Sequence, residues 1–523
     1  MALRRSSRAV FTSAAVLSVL LLIWYRHVIA VTDTDGFPRT DTPPKEHTPP
    51  DEDHVDVSFK EDHVNVNENH VDVHEDHVEA SFEDTHTVAS ADEFRDKHFQ
   101  QILSLPGMSI ADAKRTCTWA STDQVNFMFD QDVDWNQQER PDEEINFRRQ
   151  QWHDFIKNGL IPYKDVEPRF SGRGIVLLAG NGDTFLRTKV VLRALRRLNS
   201  PLPVEIHYYG DELDDEKKDQ LTSIYPNTVF NDLAGDHNIM PSTFDVFLIN
   251  YQFKTAAIIN SRWAEVFLLD SDNIPVIDPA ELWNSDAYRE FGTIFWPDIA
   301  RTRPTNPAWA ITSTPCRMDE FELESGQLLV DKARFWYHVQ LAAFMNNDKD
   351  RYYDQFLLGD KDTFRFAWHA LRTRFGRPKR WLTSVGTQNG DKYCGHSFAQ
   401  HHPDDEDGRI AFLHGGLLKS MSPAVMKWNR DVNGGVFRHY KQAAFDEDPS
   451  RLVDVGIKWE NNENVPDHPP DYPLQSCTDI YDVEARSMWE ILPGFEDIFR
   501  EIGGYWPVDD AEKVPVDSTP SDQ

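Results

Sequence analysis

The sequence predicts an α/β fold built on a largely parallel sheet, and three observations carry that prediction. Short apolar runs rich in β-branched residues alternate with stretches of helical spacing through the middle of the chain. The first of these runs, residues 174–179 (GIVLLA), stops at Gly180-Asn181-Gly182, turn chemistry suited to the end of a buried strand. A later run, residues 265–269 (EVFLL), passes directly into Asp270-Ser271-Asp272-Asn273. Carboxylates are thereby placed at the carboxyl end of a strand, where open α/β sheets hold their ligands.

The elements follow in chain order. Residues 1–8 carry Arg4, Arg5 and Arg8 and read as a cytoplasmic tail. Residues 9–31 are mostly apolar, with Trp24 and Tyr25 suited to a membrane interface, and read as a transmembrane signal-anchor. A cleaved signal peptide is the competing reading, but residues 25–30 offer no clear small-x-small cleavage site. Residues 32–91 form a predicted disordered acidic stem. Between Asp33 and Asp92 stand 18 acidic residues against Arg39, Lys45 and Lys60, a net charge of −15. An irregular Glu-Asp/Asn-His-Val repeat recurs there from Glu52 to Val78. Such a segment buries too little apolar surface to fold, and it reads as a solvated spacer rather than a loose metal binder.

Residues 92–510 are the predicted globular domain, followed by a disordered tail at 511–523. Residues 92–105 and 141–158 have helical character. After the strand at 174–179, residues 184–198 place Leu186, Val190, Val191, Ala194, Leu195 and Leu198 on one apolar helical face, with arginines outside. Residues 203–209 form a second strand, residues 253–261 a helix and residues 265–269 a further strand. Beyond residue 442 the pattern is weaker. Trp459, Trp489 and Trp506 pack on the domain or line a groove, and core burial is the ordinary fate of such residues.

Composition excludes several function classes. The 523 residues carry a formal net charge of −33, which repels nucleic acid. Cys117, Cys316, Cys394 and Cys477 show no zinc spacing, and they are either disulfide-bonded or buried thiols. No GxSxG, HExxH or N-glycosylation sequon is present.

Four motifs carry chemistry. Asp270 and Asp272 are one residue apart and can face a common ion. Hard oxygen ligands suit magnesium or manganese, which would neutralise a diphosphate leaving group. His414 ends an apolar run before Gly415 and Gly416, where it can add a nitrogen ligand; Lys419 can meet phosphate charge. Glu324 lies in the polar start of the apolar segment 322–331. Asp360 and Asp362 open a helix at 363–371, where one carboxylate is expected to cap the helix and the other to serve the site.

These residues resemble the fungal Golgi α-mannosyltransferases, the α-1,2- and α-1,3-enzymes of mannan and glycoprotein glycans. The blocks are residues 173–181 (RGIVLLAGN), 202–211 (LPVEIHYYGD), 265–279 (EVFLLDSDNIPVIDP), 292–298 (GTIFWPD), 324–332 (ESGQLLVDK) and 359–371 (GDKDTFRFAWHAL). The resemblance implies a GT-A fold, a Rossmann-like nucleotide-sugar half joined to an acceptor half. It also implies GDP-mannose as donor, manganese or magnesium as the ion and a mannosylated glycan as acceptor. The enzyme would be a single-pass type II protein of the Golgi membrane with a lumenal catalytic domain, open to complexes with other transferases. Residue by residue it implies that Asp270 and Asp272 bind the metal, joined by His414. Ala179, Gly180, Lys254 and Lys419 bind the donor together with the two aspartates. Glu324, Asp360 or Asp362 would be the nucleophile if retention proceeds by double displacement; otherwise the acceptor attacks from the departing side. The alternatives are a transferase of another sugar nucleotide and a non-catalytic subunit of a transferase complex.

Overall fold

The computed structural model describes residues 86–117, 140–180, 182–245, 249–347, 350–357, 359–405, 408–416, 418–442, 455–460, 475–480 and 483–513. The predicted tail 1–8, anchor 9–31 and nearly all of the predicted stem lie outside the described residues. Among the described residues, no helix is long and apolar enough to cross a membrane. The described residues include a few before the expected boundary at 92, and these pack on the domain. The His86 N–H donates to the Arg372 carbonyl at 2.8 Å, and Val88 is buried. Ser90 caps helix α1 (Ala91–Leu103) through its hydroxyl. At the other end the last helix, Trp506–Lys513, runs three residues into the expected tail.

A second amphipathic helix, α2 (Asp142–Asn158), precedes the sheet. The sheet's first four strands are β1 (Arg173–Leu178), β2 (Val204–Tyr208), β3 (Thr228–Asp232) and β4 (Glu265–Leu269). Helix α3 (Asp183–Arg197) connects β1 to β2, and α4 (Gln252–Asn260) precedes β4. After the short β5 (Asn273–Pro275) come β6 (Thr293–Pro297) and β7 (Leu323–Asp331). The order across the sheet is β3-β2-β1-β4-β7-β6. The first four strands are parallel, while β7 runs antiparallel to both β4 and β6.

Strand periodicity explains why these runs are continuously apolar rather than alternating. Val176, Val266, Leu268, Leu328 and Val330 enter one core, whereas Ile175, Leu177, Phe267, Leu269 and Leu329 enter the other. The first core is closed by α4, α5 (Lys332–Asn346) and α6 (Lys361–Ala370), the second largely by α3. Both faces of the sheet are therefore covered, and each fully buried large apolar side chain stabilises by roughly 1.5–3 kcal/mol.

A second, antiparallel sheet contains β8 (Thr383–Asn389), β9 (Lys392–His401), β10 (Ile410–His414), β11 (His439–Lys441), β12 (Val455–Glu460), β13 (Gln475–Ile480) and β14 (Arg486–Ser487). Its strand β10 pairs with β9 on one side and with β5 on the other. The two sheets are thereby joined next to the Asp270-Ser271-Asp272 turn. All four cysteines are bridged, Cys117 to Cys316 and Cys394 to Cys477, so the buried-thiol alternative does not hold.

Candidate metal and donor site

The parallel strands gather side chains at one edge. Strand β4 ends at Leu269, and Asp270 follows, its N–H donating to the Gly326 carbonyl at 2.8 Å. Because β7 runs antiparallel to β4, the start of β7 (Glu324, Ser325, Gly326) lies beside the end of β4. The chain turns through Ser271 and Asp272 and enters β5, whose Asn273 pairs with His414 of β10. One ladder contact thus closes a sequence gap of more than a hundred residues, and the Gly415 N–H donates to the Asp272 carbonyl at 2.8 Å. That amide is consequently engaged by protein rather than free for phosphate.

Ligand atoms of Asp270, Asp272 and His414 all lie within 4.8 Å of one another. The His414 ring stands between two carboxylates. Its Nε2 is 3.4 Å from Asp272 Oδ1 and its Nδ1 is 3.3 Å from Glu324 Oε2. Both ring nitrogens are buried, and neither makes a well-aligned hydrogen bond. Burial alone would lower the His414 pKa, but Glu324 and Asp272 outweigh it and raise the group to about 10. Burial likewise works against ionisation of Glu324, yet His414 and Lys254 hold it at about 2. This pocket favours positive charge strongly. Gly326 makes the arrangement sterically feasible, since a β-carbon there would come within 2.9–3.1 Å of the imidazole ring.

Two lysines complete the cluster. Lys254, on the first turn of α4, is 2.9 Å from Asp270 Oδ2 and 3.5 Å from Asp360 Oδ2, and it donates to the Ser325 hydroxyl at 2.9 Å. Burial lowers its pKa, but Asp270 and Asp360 more than offset this and raise it. Lys419 is 2.7 Å from Asp272 Oδ2, and its side chain is 46% exposed, so it is the cation most open to an incoming anion. Burial of the Asp272 side chain disfavours its charge, but Lys419 and His414 hold its pKa well below the usual range.

The remaining sequence-predicted residues are placed as follows. Ala179 is buried past the end of β1, its N–H donating to the His207 carbonyl at 3.0 Å. Gly180 faces Glu212, whose Oε1 would be 3.2 Å from a β-carbon at that position. Asp360 sits beside Lys254; burial raises its pKa, and its Oδ2 has no hydrogen-bond partner. Asp360 occupies the cap position of α6 without a side-chain capping bond, which corrects the capping expectation. Asp362 does not cap either. It accepts from Arg365 Nε at 2.7 Å and from the Leu323 N–H at 3.3 Å, inside a separate buried charge network. Its carboxylate is therefore not brought to the His414 cluster.

Several polar groups at this edge were not singled out from sequence. Ser325 bonds Lys254, and Arg187 of α3 reaches the Ser271 hydroxyl at 3.4 Å. Asp298 follows β6 just as Asp270 follows β4, and Lys361 holds it at 2.5 Å. The strand-end rule that finds Asp270 applies equally to Asp298, whereas Arg187 carries no sequence signal beyond the basic outer face of its helix.

Residues 172–322 and 316–402 match the family model described as "Mannosyltransferase putative". The chain is similar to the alpha-1,2-mannosyltransferase MNN21 of Candida albicans, 25% identical over 289 residues that cover 45% of this chain and 43% of the relative. It is similar to the alpha-1,2-mannosyltransferase MNN2 of Saccharomyces cerevisiae, 25% identical over 292 residues, 47% of this chain and 48% of the relative. The chain spans about half the length of the curated relatives it matches. Among solved structures, the bifunctional glycosyltransferase WbbM aligns over 39% of each chain at 13% identity and a TM-score of 0.30. The galactosyltransferase LgtC, solved with donor and acceptor sugar analogs, aligns over 39% of this chain and 74% of its own at 11% identity and a TM-score of 0.29. The mannosyltransferase resemblance read from the sequence blocks is borne out. The matched span includes Asp270 and Asp272 and ends before His414.

Proposed function

We propose that this chain is a metal-dependent, retaining α-mannosyltransferase of GT-A type that moves mannose from GDP-mannose to a mannose-containing glycan. The observation that carries this reading is the Asp270–Asp272–His414 cluster at the end of β4, within and beside the region that matches mannosyltransferases. Two carboxylates and an imidazole are a fitting donor set for manganese or magnesium, and the unaligned His414 nitrogens are the kind of buried polar atoms a cation would satisfy. Bound there, the ion would neutralise negative charge growing on the departing diphosphate.

The chain's own residues supply the rest. Lys419 is open enough to meet the diphosphate, and Lys254 adds fixed positive charge beside Asp270. Glu324 is engaged on both sides, one oxygen by the Gly326 N–H at 2.8 Å and the other by His414, and so is better suited to orient the imidazole than to attack a sugar. Asp360 keeps one oxygen without a hydrogen bond and is the better placed carboxylate for a double displacement. Same-face attack, with the acceptor proton passing to the departing phosphate, requires no such nucleophile. The names of the relatives favour an α-1,2 linkage over α-1,3. In this reading residues 9–31 anchor the protein in the Golgi membrane with the folded part lumenal, acting in glycoprotein or cell-wall mannan synthesis, alone or with other transferases.

The test is mannosyl transfer by the full chain from GDP-mannose to mannose and mannobiose, with manganese and with EDTA. Metal-dependent GDP release with an α-mannosylated product is expected. Turnover with a different sugar nucleotide only, or with none from a folded and metal-binding protein, would contradict the reading.

A further inference from the structure

The metal and donor site leaves one exposed tryptophan unused. Trp489 follows the edge strand of the second sheet, and 67% of its surface is open to solvent. A lone apolar side chain on a surface is ordinary, but this one borders a cleft of about 300 Å³, at the small end of ligand-sized cavities. None of the residues lining the cleft belongs to the Asp270–Asp272–His414 cluster.

The cleft stands on fixed supports. Strand β14 pairs with β11, and the Met488 N–H donates to the Arg438 carbonyl at 2.9 Å, which sets Trp489 and Arg438 on neighbouring segments. The Arg438 N–H donates in turn to the Gly386 carbonyl of β8 at 3.1 Å. Phe437 and Phe495 also line the cleft, both buried, with their rings edge to face at 5.0 Å. The helix Phe495–Glu501 adds Asp497 and Arg500, both exposed.

Most of the charged groups here are unspent. Among the described residues no side-chain hydrogen bond or ion pair engages Arg438, Arg500 or Asp497; Arg500 only approaches the Tyr505 ring, at 5.9 Å. Glu496 is used internally, accepting from the Phe437 N–H at 2.9 Å and from the Tyr505 hydroxyl. These four are the charged residues of the lining, two of each sign. A balanced lining gives a phosphate or other polyanion no net attraction. It suits a neutral polyhydroxyl compound, whose hydroxyls donate to a carboxylate and accept from a guanidinium. The apolar C–H face of a sugar ring matches the indole face beside those groups.

We propose that this cleft is a second glycan subsite, apart from the reacting centre, in which Trp489 stacks on the C–H face of a mannose unit of the acceptor chain, Asp497 accepts from its hydroxyls, and Arg438 and Arg500 donate to them. The proposal rests on the mannosyltransferase reading above and adds to it a preference for long acceptors. A chain held at two places binds more tightly than one held at the reacting end alone.

The experiment compares α-linked mannobiose with mannohexaose on the full chain, by calorimetric binding without donor and by transfer kinetics. Mannohexaose is expected to bind about tenfold more tightly than mannobiose and to show a KM lower by a similar factor. Trp489→Ala, at an exposed position, is expected to erase both differences while melting point and manganese binding hold. Asp497→Asn, which keeps the size of the side chain, is expected to shrink them about threefold. Equal binding of the two saccharides by the unaltered chain, or a length preference that survives Trp489→Ala, overturns the subsite and leaves the transferase reading standing. Self-association in sedimentation that Trp489→Ala abolishes, with the length preference intact, overturns it in favour of a contact between copies. A length preference in binding that Trp489→Ala abolishes, in a chain that transfers no mannose, supports the subsite and contradicts the transferase reading.

Discussion

Two groups of paired charges lie at the same edge of the main sheet. One joins Asp270, Asp272, Glu324 and Asp360 with Lys254, Lys419 and His414. The other joins Asp298, Glu320, Glu322 and Asp362 with Lys361, Arg365, Arg317 and His369. Their compositions are nearly the same, but their geometry differs. In both groups lysines bond carboxylates directly, as Lys254 does Asp270 and Lys419 does Asp272, but in the second group the histidine is hydrogen-bonded as well. Lys361 reaches Asp298 at 2.5 Å and Glu322 at 2.7 Å, Arg365 reaches Asp362 at 2.7 Å and also bonds the Thr302 hydroxyl, and His369 meets Glu320 at 2.9 Å. In the first group three ligand atoms converge, the imidazole between them is unaligned, and one lysine remains half exposed. Buried carboxylates near strand ends are therefore not a site in themselves. A site keeps converging atoms that the protein does not use up.

The largest test of this contrast is Asp272→Ala. It should cost on the order of a hundred- to a thousandfold in mannosyl transfer while the circular-dichroism spectrum and melting point stay near those of the unaltered chain. Retention of a tenth of the activity or more would remove the distinction. In the closed group, Arg365→Met strips Asp362 and Glu320 of a buried cation and should destabilise by about 3–5 kcal/mol in urea, with manganese affinity unchanged in the folded fraction. A change in metal affinity without a loss of stability would reverse the roles of the two groups.

Histidines sharpen the contrast. His396 and His401, buried in the second sheet without a carboxylate bonded to the ring, are pushed down to about 4 by burial, the opposite of His414. Their folded pKa lies below the unfolded value, so the stability they contribute is present above about pH 6.5 and is lost as pH falls toward 4. Urea unfolding between pH 7 and pH 4.5 should show that loss, and the double variant His396→Gln with His401→Gln should flatten it. An unchanged slope would show that these groups are not held neutral. The smallest effect concerns one methyl group. Gly326→Ala crowds His414 and should weaken manganese binding by about tenfold. Gly416→Ala, where the nearest atom is 3.9 Å from the new β-carbon, should leave it unchanged.

Local pattern made much of this fold legible. Strands β1, β2 and β4 and helices α3 and α4 lie within one or two residues of the predicted bounds, because runs buried on both faces and clear helical spacing are local properties. Asp270 and Asp272 were legible for the same reason, as carboxylates directly following such a strand. The direction of β7 was not, since an apolar run does not state whether it pairs parallel or antiparallel. Nor was the β5–β10 ladder that delivers His414, a tertiary pairing with no local signature, although the residue itself stands out where an apolar run meets Gly415 and Gly416. The partner of Asp362 was not legible, because an acidic residue at a helix start looks alike whether it caps, catalyses or pairs with an arginine one turn later. The cysteine pairing is likewise a fact of the folded chain.

Manganese titration of the full chain, followed by electron paramagnetic resonance, tests the central claim most directly when run beside His414→Ala and Asp270→Ala. One manganese bound per chain, lost or strongly weakened in both variants while their melting points hold, is the predicted result. Manganese binding that persists unchanged in both would contradict the assignment of Asp270, Asp272 and His414 as its ligands.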